Sequence, residues 1–348
     1  MSARQHNAYP ETLTVMEGIT PDTIPFDDLF AANGPVLLPG LVKHWPLVQA
    51  AGNSPQAVMS SLQEHDAGHP FLAYRGAPNI SARFGYNATA TGFNFTSERV
   101  TLPQVFDDIR RQWQNHEHDY VYVNSLKLTD GFPALAGTHT LNFSHPEFTQ
   151  NQPVAKIWLG TESVAAAHFD QPRNLACCVQ GKRRFTLFAP DQVDNLYPGP
   201  LHPTPGGQVV TMANLGNPDL TRFPRLEQAL DAAIIVDMQP GDALYYPSMW
   251  WHEVEAFDRF NVMINFWWMS HKQYTGNPMD VLLHGMMSLR DKPENEKQAW
   301  KALFDYYVFG DASRVTAHLP EPSHGPLGPM DDSTARRLRA MLLQNLNR

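Results

Sequence analysis

Cysteine is nearly absent from this 348-residue chain: there are two, Cys177 and Cys178, and they are neighbours. Adjacent cysteines cannot adopt the geometry of an ordinary structural disulfide, and the pair lacks the spacing of a zinc site. Both read as buried thiols on a core strand, which implies a reducing, cytoplasmic setting. Basic residues are also short, with 26 Lys and Arg against 35 Asp and Glu and a formal net charge of −9. That balance argues against broad binding to phosphate backbones, which needs clustered cations. No apolar run is long enough to span a bilayer, and residues 1–6 lead into no apolar signal segment. Internal repeats and low-complexity segments are missing too. What remains is 43% hydrophobic and 18% charged residues, the make-up of a folded protein with a substantial core.

Residues 1–15 read as a lead-in, 16–270 as one domain and 271–348 as a C-terminal helical region. Helical spacing is expected over 26–32, 55–64 and 102–114, the last with Val105, Ile109 and Trp113 four apart. The stretch 71–95 is turn-rich and mixed, and 126–150 reads as irregular. A strand is expected at 120–124, and from Val154 the period becomes two. Short strands follow at 155–160, 166–170, 174–180 and 184–188, then at 232–236, 243–246, 250–255 and 261–268. Between them, 198–224 is rich in Gly and Pro and reads as a long loop. Many short strands with turn signals predict a mainly β fold with flanking helices, a sandwich or barrel of the jelly-roll kind. After Ser270 the pattern becomes helical over 280–289, 295–309 and 334–346. Its wide apolar stripes either pack on their own domain or pair across a two-fold axis.

Two stretches organise the chain. In one, His168 and Asp170 are two apart, so on a strand both project from the same face. In the other, His252 follows the Pro240-Gly241 turn and could close the same cavity from a neighbouring strand. Two imidazoles and one carboxylate on one side of a metal leave open positions, the arrangement that suits non-haem Fe(II). Ala165, Ala166 and Ala167 are small enough to let a ligand approach. The alternative is that His168 and His252 are hydrogen-bonded core residues and Asp170 caps a turn.

Chemistry of this kind also needs a cation for the distal carboxylate of a 2-oxo acid. Arg183 shares a face with Phe185 on a strand that is apolar on both sides, and a buried guanidinium requires an anionic partner. A solvated basic turn is the other option. Asn174 and Asn265 sit in apolar strand text and must find hydrogen-bond partners, either structural ones or a bound acid.

Four pieces of sequence carry a family resemblance: His168-Phe169-Asp170 with Asn174; 187–192 followed by Leu196-Tyr197-Pro198; Pro240-Gly241-Asp242 through Pro247 to Trp250-Trp251-His252; and Asn265-Phe266-Trp267. With these, the chain resembles the cupin-like, JmjC-related Fe(II)/2-oxoglutarate oxygenases, in particular their asparaginyl-hydroxylase branch. The resemblance runs from about Pro35 to the C-terminus. It implies a double-stranded β-helix with N-terminal helices and a C-terminal helical segment that often makes a homodimer. By position, His168, Asp170 and His252 match the iron ligands. Arg183 stands where the Lys for the 2-oxoglutarate C5 carboxylate usually lies, while Tyr122, Asn174 and Asn265 match other co-substrate contacts. Ala165 replaces a co-substrate-binding Thr. The loop 203–208 lacks the Arg-Gln pair that contacts a target asparagine, so asparagine specificity is not implied.

The implied cofactors are Fe(II), 2-oxoglutarate and O2, and the implied reaction is hydroxylation of a protein or peptide side chain, with Trp251, Trp267 and Phe169 walling the metal. The loops 75–95 and 198–224 are long enough to make a substrate groove. N-demethylation, a small-molecule or RNA-base hydroxylase, and a metal-binding cupin module without turnover are the alternatives.

Overall fold

A computed structural model describes residues 9–115, 119–270, 272 and 274–347. The chain divides into two compact units, Met1–Ser270 and His271–Arg348. Fourteen strands occur among the described residues, all in the first unit: β1 (Thr14–Val15), β2 (Val36–Leu38), β3 (Phe71–Gly76), β4 (Arg83–Phe84), β5 (Thr96–Val100), β6 (Tyr120–Lys127), β7 (Val154–Gly160), β8 (Ser163–Phe169), β9 (Arg173–Gln180), β10 (Arg183–Phe188), β11 (Ile234–Met238), β12 (Ala243–Tyr246), β13 (Trp251–Ala256) and β14 (Asn261–Trp268). They form a nine-stranded sheet in the order β1-β2-β12-β9-β14-β7-β6-β3-β5 and a five-stranded sheet in the order β11-β10-β13-β8-β4. The eight strands β7 to β14 contribute four neighbours to each sheet, a jelly roll.

Strand parity builds the core. Along β9, Leu175, Cys177 and Val179 enter the cluster under the helices, while Ala176 and Cys178 enter the cluster between the sheets. The two thiols are therefore buried and free on opposite faces, as period two requires. Helices Pro55–Glu64 and Leu102–Asn115 cover the outer face of the large sheet, with Val58, Leu62, Val105 and Ile109 packed into that cluster. The inner cluster joins Phe185 and Leu187 of β10 to Leu244 and Tyr246 of β12, so the sheets pack face to face. Gly181, at φ +78°, turns the chain from one sheet into the other. A Cβ there would stand 2.2 Å from Asn261 Oδ1, so only glycine fits.

Several boundaries differ from the sequence expectation. Residues 1–8 of the lead-in lie outside the described residues, and order begins before residue 15, because Thr14–Val15 pairs parallel with Val36 and Leu37. The mixed stretch 71–95 contains β3, which pairs with β6 and β5. Strand β6 runs on to Lys127 through a register shift between Val123 and Leu126. Two short helices, Leu128–Gly131 and Pro133–Ala136, then occupy part of the irregular segment.

In the second unit, helices Pro278–Leu289 and Asp332–Leu346 are capped by the side chains of Asn277 and Asp331, while Glu294–Tyr307 follows Pro293 without a side-chain cap. Many of their large apolar side chains stay exposed, among them Leu283, Met287, Leu303, Tyr307 and Leu342. No helix among the described residues is long and apolar enough to cross a membrane.

Candidate metal centre

His168 and His252 are direct partners across β8 and β13, with ring centroids 4.3 Å apart. Asp170 is the first residue beyond β8 rather than part of it, yet its side chain still joins them. The turn ahead of β13 holds it there: Met249 N donates to Asp170 O at 2.8 Å, and the Ser248 hydroxyl donates to Gln171 O. His252 Nε2 lies 3.5 Å from Asp170 Oδ2. One ligand atom from each of the three residues lies within 4.8 Å of the other two.

Each imidazole is oriented by its own strand. His168 Nδ1 lies 2.8 Å from Ala166 O, and His252 Nδ1 lies 3.0 Å from Trp250 O. A carbonyl can only accept, so both Nδ1 atoms carry the proton and both Nε2 atoms keep their lone pairs, the tautomer a metal-binding histidine needs. Burial, reinforced by His252, pushes the His168 pKa down to about 4. Burial alone would raise Asp170, but the His252 and His168 imidazoles beside it and the Lys156 ammonium hold it below the usual carboxylate range. Neutral imidazoles and an ionised carboxylate, converging with free lone pairs, fit a divalent transition metal with open positions.

Between His252 and Val254 the register of β13 against β8 shifts by one, so that Ala166 and Ala167 of β8 stand opposite Glu253 alone, which marks a bulge beside the paired histidines. Arg83 of β4 pins it, donating to Glu253 Oε2 at 2.8 Å and to Ala213 O at 2.6 Å. The ion pair is part-buried, and Arg83 thereby ties the loop after β10 to the strand that carries the ligand. A bulge beside a site commonly re-aims a side chain.

The cavity lies between the sheets and has two chambers. The inner chamber is lined by the three ligands together with Tyr122, Asn174, Arg183 and Asn265. Arg183 is only 3% exposed, and its Nε has no hydrogen-bond partner among the described residues. Burial lowers its pKa, yet a guanidinium remains charged. Leaving it unpaired costs several kcal/mol, an order-of-magnitude figure, so the chamber is built for an anion. Burial raises the Tyr122 hydroxyl while nearby Arg183 opposes that rise, so the phenol stays a donor. Asn265 is already engaged: its Oδ1 accepts from Trp158 Nε1 at 2.8 Å, and its Nδ2 donates to Asn174 Oδ1 at 3.2 Å. Ala165 lines both chambers with no polar atom.

The outer chamber opens through Tyr74, Phe84, Phe95, Asn124, Gln208 and Val210. It draws on both loops expected to make a groove. Of the three aromatics expected to wall the metal, only Trp267 lines the cavity. Trp251 and Phe169 face the other way, 4.9 Å apart, with Trp251 in the cluster beneath the 190–230 loop. Parity is the reason: each neighbours an inward ligand on its strand and so points outward.

Sequence reasoning missed Lys156. Its ammonium sits 3.9 Å from the Trp267 ring centroid and donates to Ser125 Oγ at 2.8 Å. The signal was there, because Lys156 shares parity with the inward-facing Trp158 on β7. It also missed Arg83 and Glu253, for which no local pattern gave notice.

Known proteins resemble this chain in sequence. The model of the family described as "Cupin-like domain" matches residues 21–274. "Lysine-specific demethylase JMJ31" of Arabidopsis thaliana is 31% identical over 131 residues, 36% of this chain and 23% of the relative. "HSPB1-associated protein 1" of Bos taurus is 36% identical over 197 residues, 55% of this chain and 39% of the relative. "Jumonji C domain-containing protein 5" of Drosophila melanogaster is 27% identical over 252 residues, 69% of this chain and 55% of the relative. The chain thus spans between about a quarter and about half the length of these relatives. The family match covers both sheets of the jelly roll and all three converging ligands, and on it the chain belongs to the cupin-like, JmjC-related family.

Proposed function

We propose that this protein is an Fe(II)- and 2-oxoglutarate-dependent oxygenase that hydroxylates a side chain of a protein or peptide. The single observation that carries the reading is Arg183, a buried guanidinium whose Nε has no partner among the described residues, in the chamber that also holds His168, Asp170 and His252. A keto diacid answers both features, with one end for the metal and a distal carboxylate for the guanidinium fork. When bound, ferrous iron and 2-oxoglutarate supply the oxidant, and the overall change is R–H, O2 and 2-oxoglutarate to R–OH, succinate and carbon dioxide.

The chain's own residues bind and orient. His168, Asp170 and His252 hold the ion, with Ala166 O and Trp250 O fixing the imidazole rings. Arg183 and Tyr122 take the distal carboxylate, and Asn174 closes the chamber beside Asn265. Arg183 stands in for a shorter lysine, and Ala165, small and apolar, leaves room on the opposite wall. Burial between two sheets keeps bulk water from the reacting centre.

The protein substrate is supported by the open outer chamber and by relatives whose names include lysine-specific demethylases. That name also gives N-demethylation a claim as the second reading. The exposed apolar residues of the second unit, Leu283 and Leu342 among them, fit pairing with a second copy. The buried, reduced thiols fit a cytoplasmic setting.

The test is succinate formation from 2-oxoglutarate. We expect it to require Fe(II), to vanish in Asp170→Ala, and to fall in Arg183→Ala through a raised KM for 2-oxoglutarate. Fe(II)-independent turnover, or none in the freshly reconstituted protein, would discard the reading in favour of a binding module.

A further inference from the structure

The outer chamber has a property that bears on which side chain it receives. Apart from Asp170, which serves the metal, no carboxylate lines it among the described residues. A cationic side chain entering it would find no counter-charge.

Aromatic rings can hold a methylated ammonium when their faces are open to it. Here several of the ring faces are already taken by neighbours. Phe95 stacks on Phe93 at 5.2 Å and packs, tilted, against Tyr74 at 4.5 Å. Tyr122 stacks on Trp158 at 6.1 Å and lies 5.6 Å from Phe84. One face of Trp267 already carries the Lys156 ammonium. The rings form a packed wall rather than an open cage.

Charge counts in the same direction. A divalent ion, the Asp170 carboxylate, a dianionic keto acid and the Arg183 guanidinium together cancel. Lys156, seated on the Trp267 ring that lines both chambers, then leaves the surroundings of the filled cavity with one net positive charge. What the mouth does offer is polar but neutral: the carboxamides of Asn124 and Gln208 and the hydroxyl of Tyr74, which already accepts a hydrogen bond from Asn124 Nδ2 at 2.9 Å.

We infer that this mouth admits an uncharged side chain and turns away a cationic one, with Lys156 and the packed ring wall as the selecting elements, so that the reaction is hydroxylation of a neutral residue and not demethylation of lysine. The inference rests on reading the triad as a metal site of an oxygenase.

A pair of probes with the same shape and different charge tests it without a known substrate: choline and 3,3-dimethylbutan-1-ol. Mn(II) is placed at the triad with 2-oxoglutarate, and the relaxation rate of the probes' methyl protons is read by NMR, with Asp170→Ala as the blank. The neutral probe is expected to relax about fivefold or more faster than the cation, the scale on which one nearby like charge discriminates. Lys156→Met, or Lys156→Gln should the first not fold, is expected to close most of that gap by raising the choline rate. Choline relaxing as fast as the alcohol or faster, equal rates for both including none, or a gap unchanged by Lys156 substitution overturns the inference. Failure of Mn(II) to bind, read separately from its EPR signal, overturns the oxygenase reading and this inference with it.

Discussion

The two faces of β8 and β13 are one residue apart in sequence and opposite in character. Inward, His168 and His252 stand with Asp170 around a polar cavity that also holds a buried guanidinium whose Nε has no partner among the described residues. Outward, Ala167 and Trp251 sink into a dry cluster with Phe188, Leu196, Ala213 and Leu226. The inward face is costly to fold, because polar groups are withdrawn from water without full compensation. The outward face contributes the burial that offsets this. Function and stability are thus divided by strand parity, and substitutions on the two faces should separate them.

The largest effect is expected from the ligands. His252→Ala should weaken divalent-metal binding by more than the roughly 10–100-fold typical of losing an outer-shell partner, measured by calorimetric titration. The metal-free protein should unfold at an unchanged or slightly higher urea midpoint, since a buried polar cluster is relieved. On the other face, Trp251→Ala should destabilise by about 3–5 kcal/mol in urea unfolding. If His252→Ala instead destabilised the metal-free protein as much as Trp251→Ala, the division between the faces would be wrong.

Arg183 sharpens the same contrast, because it lies on the inward side yet has no ligand role. Arg183→Ala should raise the 2-oxoglutarate KM by about 10–100-fold, the range of one or two lost charge-assisted hydrogen bonds of about 1.5–3 kcal/mol. Arg183→Lys should recover part of it. Arg183→Met should stabilise the metal-free protein by about 1–4 kcal/mol, as replacing a buried charge with an apolar group of similar size can. A destabilised Arg183→Met would mean that the guanidinium supports the fold and not the anion.

Much of this contrast was legible in the sequence, and its limits have physical causes. The two-residue spacing of His168 and Asp170 and the flanking alanines were local, and so was Arg183 beside Phe185 on an apolar strand. The same parity would have turned Trp251 and Phe169 outward, but their aromatic character suggested a wall for the metal, and that was the error. Pairing of His252 with His168 across 84 residues is set by sheet register, which no local pattern encodes. Strand β3 was hidden because Phe71–Gly76 runs into turn residues, and its partners β5 and β6 decide its conformation. Lys156 was readable from its parity with Trp158, whereas Arg83 meeting Glu253 depends wholly on tertiary placement.

The smallest effect concerns acid, and it compares the site with the core through two buried histidines. Burial pushes His139 down to about 4, as it does His168. His139 Nε2 accepts from Leu47 N at 3.2 Å, at the start of helix Pro46–Ala51. Protonating that nitrogen removes the acceptor and charges a group packed against Trp45. A histidine whose folded pKa lies below its unfolded value of about 6.5 binds protons more readily once unfolded. Its share of stability is therefore complete above about pH 6.5 and is lost as pH falls toward 4, up to about 3 kcal/mol for such a shift. In the metal-free protein both histidines should contribute to this loss. A bound ion occupies His168 Nε2 and shields that residue from protonation while it stays bound, whereas nothing shields His139. Urea unfolding at pH 7 and pH 4.5 should show that His139→Gln flattens the profile with and without metal, at a cost of about 1 kcal/mol at pH 7. A profile left unchanged by His139→Gln would place the whole acid sensitivity in the cavity, and the core would be the drier and less titratable of the two regions than its histidine implies.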